Sequence, residues 1–159
     1  MMASSSAGKL RAEEGFTLLE VVCVLAIFAI IAAMVIPSLP HGTSRARLES
    51  YAIATAALLK ADRDTAIRRG TQVATRIDAA SRLISSGVTD RVVQIPADVA
   101  VDALLAARCD RRPADSTIRF FSSGLSCGGT IALTRLGFGY EVRVNWLTGR
   151  VDIVAISPA

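Results

Sequence analysis

An uninterrupted apolar run near the N-terminus dominates the pattern of the chain. It extends from Phe16 to Ile36 and contains one ionisable side chain, Glu20. A helix of this length would be about 31 Å long, which matches the hydrocarbon thickness of a bilayer. The pattern therefore predicts a membrane-spanning helix over residues 16–36. Because a charged group inside the bilayer is costly, a carboxyl group at this position indicates a function.

A second helix is predicted beyond Pro37, which can bend or interrupt the chain. Between residues 44 and 69 the apolar positions recur every three or four residues, which predicts an amphipathic helix. Arg68 and Arg69 suit its last turn, and Gly70 follows where a left-handed cap is expected. We therefore expect residues 37–70 to continue the first helix and to end at Gly70.

After Gly70 the apolar period changes from helical to two, which is typical of strands with one buried face. In the longest run, Tyr140, Val142, Val144 and Trp146 alternate with polar residues, so all four are predicted to face the core. Seven strands are expected, around residues 73–77, 83–84, 92–93, 118–120, 131–133, 140–146 and 151–153. The predicted fold class is α+β, with a long helix packed on an antiparallel β-sheet or small β-sandwich formed by residues 71–159.

Length and charge limit the number of domains and the kind of partner. Of the 159 residues, about 120 follow the spanning segment, which is enough for one domain. The net charge of +4 is scattered along the chain. The one dense basic cluster, Arg108, Arg111 and Arg112, is interrupted by Asp110 and is predicted to be a solvated loop. Because nucleic-acid binding favours clustered cations or a basic tail, the composition disfavours it.

The N-terminal run GFTLLEVVCVLAIFAIIAAMVIP resembles the leader and first helix of type IV pilins and of the pseudopilins of type II secretion. The resemblance implies that a prepilin peptidase removes the leader, residues 1–15, by cutting between Gly15 and Phe16. It implies N-methylation of Phe16, an assembly role for Glu20 and a helix kink at Pro37. It also implies a single-pass protein of the bacterial inner membrane, with the C-terminal domain in the periplasm.

Glu20 has a physical reason to act in assembly. The cut creates an α-amino group on Phe16, and such amines have a reference pKa of about 7.7–8.0. Two opposite charges that are each costly in an apolar medium become tolerable together. Glu20 of one subunit is therefore expected to pair with the amine of a neighbour and to fix the register between them.

Three later segments give a second resemblance. They are ADRDTAIRRG at residues 61–70, IRFFSSG at 118–124 and VNWLTGRV at 144–151, and together they resemble the globular domain of H-type minor pseudopilins. The resemblance implies a subunit at or near the tip of the type II secretion pseudopilus. Its expected partners are the prepilin peptidase, other major and minor pseudopilins and the inner-membrane platform. The alternative is a FimT-like minor type IV pilin, which would serve pilus assembly and bind DNA for uptake.

The three cysteines require separate interpretations. Cys23 lies in the predicted span, where it serves as a small apolar side chain. Cys109 and Cys127 fall in a domain expected in the oxidising periplasm, where a disulfide between them would close a loop of about 19 residues. Such a bridge is worth about 3 kcal/mol in the chain-entropy model. The spacing of these cysteines and the single histidine disfavour a metal site.

Catalysis finds no support in the sequence. His41 is the only histidine and no nucleophile motif accompanies it. Asp62 and Asp64 are two residues apart on a predicted helix, so they point in different directions, and both are expected on a solvated face balanced by neighbours such as Arg63. The chain is therefore predicted to be a structural subunit without enzymatic activity, cofactor or metal.

Overall fold

The computed structural model describes residues 17–35 and 42–156. The chain divides into two units, with the boundary between Pro40 and His41. In the first unit, helix α1 extends over Leu18–Val35, and the side chains described along it are exposed. The second unit contains helix α2, Arg45–Arg69, and all of the strands described.

Helix α2 has a defined beginning and end. The Ser44 hydroxyl oxygen accepts the Arg47 N–H at the N-cap, which satisfies one of the free donors of the first turn. At the other end Gly70 adopts a left-handed φ of 63°, and its N–H bonds to the last turn. The predicted end at Gly70 is confirmed. Residues 42–44 are not helical, so α2 starts as a new helix; the kink expected at Pro37 lies outside the described residues.

Ten strands follow α2 in the described chain. They are β1 Val73–Asp78, β2 Leu83–Ser85, β3 Val92–Gln94, β4 Ala100–Leu105, β5 Arg108–Cys109, β6 Arg112–Pro113, β7 Thr117–Phe120, β8 Gly129–Arg135, β9 Phe138–Val144 and β10 Val151–Ile156. One four-stranded sheet has the order β3-β2-β1-β7, and a second has the order β10-β9-β8-β4. The short β5-β6 hairpin stands apart from both. All of the pairings are antiparallel.

The core lies where α2 packs against strands of both sheets. On α2 the buried positions recur every three or four residues, with alanines at several of them, so that the helix approaches the sheets closely. The largest fully buried side chains are Leu48, Leu59, Ile77, Ile84, Ile95, Ile118, Phe120, Ile131 and Leu133. The α+β architecture with a helix on antiparallel sheets is therefore confirmed.

The seven predicted strands correspond to β1, β2, β3, β7, β8, β9 and β10. Strands β4, β5 and β6 were not predicted. The prediction that Trp146 faces the core is wrong, because β9 ends at Val144 and the Trp146 side chain is 66% exposed. Asn145 ends the strand: its Oδ1 accepts the N–H groups of Leu147 and Thr148 at 2.9 and 3.0 Å, which is a local turn that competes with strand pairing.

The predicted solvation of Asp62 is also wrong. Only 2% of this residue is exposed. Its carboxyl group accepts the hydroxyls of Thr75 at 2.7 Å and Ser86 at 2.5 Å and the Gly87 N–H at 3.0 Å. Because a buried polar group without partners is costly, these three bonds fix α2 to β1 and to the turn that follows β2. Asp64, two residues on, is exposed as predicted.

We predict that Asp62→Ala lowers the free energy of unfolding by about 3 kcal/mol, since it leaves the buried Thr75 hydroxyl and the half-buried Ser86 hydroxyl without their partner. The matched variant Asp64→Ala removes an exposed carboxyl group whose ion pair with Arg63 spans 3.9 Å, and should change stability by less than about 0.5 kcal/mol. Thermal or denaturant unfolding of the purified chain measures both. Equal effects of the two substitutions would show that the Asp62 bonds do not stabilise the domain.

Candidate functional site

Glu20 lies in the first turn of α1. Its backbone N–H donates to the Thr17 carbonyl oxygen at 3.0 Å and to the Thr17 hydroxyl oxygen at 3.3 Å. Thr17 thus caps the start of the helix, and an acidic side chain in a first turn suits the positive end of the helix dipole. Glu20 is the only ionisable residue other than a cysteine within α1 and is exposed. Its carboxyl group is therefore available to another molecule.

Several predicted positions lie outside the described residues. These are the cleavage residues Gly15 and Phe16 and the kink at Pro37, so their roles stay predictions. Among the helices of the described residues, none meets the combined length and hydropathy of a membrane-crossing segment. The expected span over residues 16–36 therefore also stays a prediction. Cys23 is a free and exposed cysteine on α1.

Asp98 fastens the chain just before α2. Its carboxylate accepts the Thr43 N–H at 2.7 Å, the Thr43 hydroxyl at 2.9 Å and the Arg135 Nε–H at 2.8 Å. Arg135 Nη1 also donates to the Thr43 carbonyl oxygen at 2.9 Å. We call these three residues the Thr43 clamp. Bonds from Thr43, first from its backbone and then from its hydroxyl, lower the pKa of Asp98, and Arg135 lowers it further.

The space around the Thr43 clamp is tightly filled. A Cβ atom at Gly42 would collide with the Arg135 guanidinium. Both main-chain groups of Thr43 are thus held by side chains that come from beyond β3 and from the end of β8. The chain that enters α2 is fixed to the second sheet by hydrogen bonds as well as by apolar packing.

Arg63 connects the three segments that resemble H-type minor pseudopilins. It lies in the first segment and donates from Nε to the Gly124 carbonyl oxygen, in the second, at 3.2 Å. Its Nη2 donates to the Thr148 carbonyl oxygen, in the third, at 3.0 Å. Gly149 makes this approach possible, since a Cβ atom there would collide with the Gly124 oxygen and lie 2.7 Å from Arg63 Nε. The three segments therefore form one site around a single guanidinium.

The structure joins Cys109 and Cys127 as a disulfide, with their Cα atoms 5.6 Å apart. This separation lies in the usual range for a bridge. Cys109 belongs to β5, and Cys127 precedes β8, so the bridge fastens the β5-β6 hairpin to the second sheet. Within the described residues, no three His, Cys, Asp or Glu side chains are grouped as metal ligands would be.

The sequence did not indicate the Thr43 clamp. Thr43, Asp98 and Arg135 are each isolated polar residues, separated by 55 and 37 positions, and no local pattern marks them as partners. The exposure of Trp146 did have a signal, because Asn145 and the Thr148-Gly149 pair favour a turn directly after Val144. In the sequence this turn signal competes with the alternation of apolar residues, which continues through Trp146.

Two segments of the chain match known protein families. Residues 10–36 match the prokaryotic N-terminal methylation motif, and residues 52–149 match the family described as type II transport protein GspH. The type II secretion system protein H of Xanthomonas campestris pv. campestris is 33% identical over 141 residues, which cover 89% of this chain and 83% of that protein.

Two solved structures have the same fold. The minor pseudopilin EpsH from the type 2 secretion system of Vibrio cholerae has a TM-score of 0.54 at 16% identity, covering 68% of this chain and 96% of that one. The type IV minor pilin FimU of Pseudomonas aeruginosa has a TM-score of 0.53 at 18% identity, covering 70% of this chain and 91% of that one. At these identities the likeness establishes the fold and not the function.

A capped apolar helix that begins at a methylation motif, together with a helix packed on two antiparallel sheets, defines the class of type IV pilin-like proteins. Within this class, the chain belongs to the type II transport protein GspH family, the H-type minor pseudopilins of the type II secretion system. Both resemblances noted in the sequence are thereby confirmed. Membership indicates a membrane-anchored protein with a periplasmic domain.

We predict that Asp98→Asn lowers the unfolding temperature by a few degrees at neutral pH. Since the folded pKa of Asp98 lies below its usual 3.8, its contribution to stability is fully present above about pH 4 and is lost as the pH falls through the folded pKa. The temperature difference between wild type and variant should therefore be constant from about pH 7 to 5 and shrink below about pH 4.

Thermal unfolding monitored by circular dichroism across this pH range checks the prediction. The matched control is Asp90→Asn, at an exposed turn residue before β3, which should leave the unfolding temperature unchanged at neutral pH. A difference for Asp98→Asn that persists undiminished at pH 3 would contradict the role given to the carboxylate.

Proposed function

We propose that this chain is incorporated at or near the tip of the periplasmic pseudopilus and helps the filament to start, thereby aiding the export of folded proteins across the outer membrane. The observation that carries the proposal is the chemistry of α1, an apolar helix whose first turn holds one acidic side chain. Such a helix can be stored in lipid and can then pack against similar helices in a bundle. The chain acts by assembly and not as an enzyme.

Maturation precedes assembly in this scheme. The prepilin peptidase cuts between Gly15 and Phe16 and the new N-terminus of Phe16 is methylated, in line with the methylation motif over residues 10–36. In the assembled filament the amine of one subunit pairs with Glu20 of a neighbour. Because each charge is costly alone in an apolar bundle, the pairing favours one axial offset between subunits over the others.

The proposed topology follows from the same segments. Residues 16–36 form a single membrane-spanning helix in the inner membrane, the leader lies in the cytoplasm, and the domain that contains α2 and the sheets lies in the periplasm. The periplasm is oxidising, which suits the Cys109–Cys127 disulfide. The inner-membrane platform would extract the subunit from the bilayer, and the other pseudopilins would receive it.

One observation favours a second candidate. The fold likeness extends to the type IV minor pilin FimU as well as to EpsH, so a FimT-like minor pilin that serves pilus assembly or DNA uptake is the alternative. The family match over residues 52–149 supports the secretion role instead.

A clean deletion of the gene separates the two candidates. We expect exported enzymes to be lost from the medium, whereas uptake of external DNA and pilus-dependent movement remain at wild-type levels. Secretion, DNA uptake and movement are all assayed in one strain, and the intact gene should restore secretion. Normal secretion together with lost uptake or movement would replace the proposal by the minor-pilin alternative.

We predict that Glu20→Ala reduces incorporation of the subunit into the pseudopilus by roughly tenfold or more, because the amine of a neighbour then has no partner in an apolar bundle. Incorporation is measured by co-purification of the epitope-tagged chain with sheared filaments. Asp64→Ala, which removes an exposed carboxyl group from α2, is the matched control and should incorporate normally. Normal incorporation of Glu20→Ala would exclude the pairing.

A further inference from the structure

An open groove of about 690 Å³ crosses one face of the β10-β9-β8-β4 sheet. Its floor includes Leu104, Thr130, Arg143 and Asp152, which are cross-strand neighbours in register. Since Val142 of β9, next to Arg143, is fully buried in the core, strand alternation places Arg143 and its cross-strand neighbours on the face turned away from α2. The groove is therefore a surface of the domain and not part of its core.

The groove presents large apolar side chains to solvent. Leu104 is 79% exposed and Trp146 is 66% exposed, and Val154 lines the same groove. Single exposed apolar residues are ordinary, but several large ones around one concave surface are typical of an interaction site. Tryptophan is also among the residues that contribute most to protein–protein binding.

The charged groups of the groove are already paired with one another or with neighbours. Arg143 Nε donates to a Glu141 carboxylate oxygen at 2.7 Å, and Arg150 Nε donates to Asp152 at 2.8 Å. The groove itself therefore offers apolar contact without an uncompensated charge. A ligand that binds only here would be selected by its apolar side chains.

The β5-β6 hairpin supplies charge beside this groove. Arg108, Arg111 and Arg112 are exposed, and among the described residues none of them has a carboxylate within ion-pair distance. Asp110 and Arg111 have φ values of 49° and 62°, as in a tight two-residue hairpin turn. With Asp110 as the one acid among them, three arginines leave the hairpin with a net charge of +2.

The disulfide makes the groove and the hairpin one surface. Cys127 is part of the groove wall, and it is bonded to Cys109 in β5. The chain also connects them directly, because Ala106 lines the groove and Arg108 begins β5 two residues later. The hairpin that carries the arginines is therefore held beside the groove by a covalent bridge, and we call the combination the groove–hairpin surface.

We propose that the groove–hairpin surface docks a segment of another pseudopilin subunit, one that inserts a large apolar side chain into the groove and places carboxylates against the hairpin arginines. The apolar anchor would provide most of the affinity, and the guanidinium–carboxylate pairs would orient the segment. The proposal rests on the proposed function, because it takes the partner from the same filament. A polyanionic nucleic acid fits less well, since the groove is apolar and its arginine is paired.

Site-specific photocrosslinking in the intact chain tests this proposal. Trp146 is replaced by p-benzoylphenylalanine in cells that produce the complete secretion system, and adducts are identified by mass spectrometry. Leu136, which is 82% exposed in the β8-β9 turn, is the control position. We expect an adduct from position 146 to contain another pseudopilin, joined through a peptide that carries Asp or Glu.

Charge reversal then tests the role of the hairpin. Arg108→Glu with Arg112→Glu should reduce the adduct at position 146 by at least about fivefold. Arg45→Glu with Arg91→Glu makes the same change in net charge at exposed arginines of α2 and of the turn before β3, and should leave the adduct unchanged. The yield of any adduct at position 136 should be unchanged by either pair of substitutions.

Three results would overturn the proposal: no pseudopilin adduct at position 146 while the chain accumulates normally, an adduct insensitive to the hairpin charges, or an adduct with exported protein or nucleic acid alone. If the proposed function is wrong, the deletion experiment gives a different result. In that case deletion of the gene leaves secretion intact, whatever the crosslinks. Lost secretion on deletion, without the predicted adduct, would remove the docking surface and keep the pseudopilin role.

Discussion

Helix α2 has to cover two sheets with one face, and the rest of the periplasmic domain is arranged around that requirement. A helix of 25 residues is about 37 Å long, and it packs against strands from both four-stranded sheets. Alanines on the buried face keep α2 close to the sheets, and leucines fill the spaces between the strands. The same face includes Asp62, where a serine and a threonine supply the partners that an apolar neighbour could not.

Polar side chains complete this packing near the two ends of α2. Before the first turn, Asp98 and Arg135 bind both main-chain groups of Thr43. Toward the last turns, Arg63 reaches the loops that precede β8 and β10. Apolar burial is non-directional, so it holds the helix against the sheets without fixing how far the helix slides along them. Hydrogen bonds at both ends supply that specificity.

The parts of the fold that the sequence predicted depend on local patterns. The end of α2 at Gly70 and seven of the strands follow from periodicity and turn chemistry, and helix α1 follows from the apolar run that forms it. The parts that it missed depend on contacts between distant residues. Asp62 looked solvated because Arg63 and Asp64 flank it, and its true partners lie 13 to 25 residues away. Strand β4 was missed because alanine and aspartate interrupt its apolar alternation, and its inner face is only partly buried.

Arg63 has a consequence for which sequences can adopt this fold. The guanidinium binds carbonyl oxygens, and every residue carries one, so it does not recognise the Thr148 side chain. It recognises the path of the main chain, and Gly149 permits that path. A lysine could not replace the arginine, because one ammonium lacks the fork that reaches two oxygens. Arg63 therefore constrains the main chain at Thr148 and not its side chain, and loops transplanted between members of the family would need to match in backbone path more than in sequence.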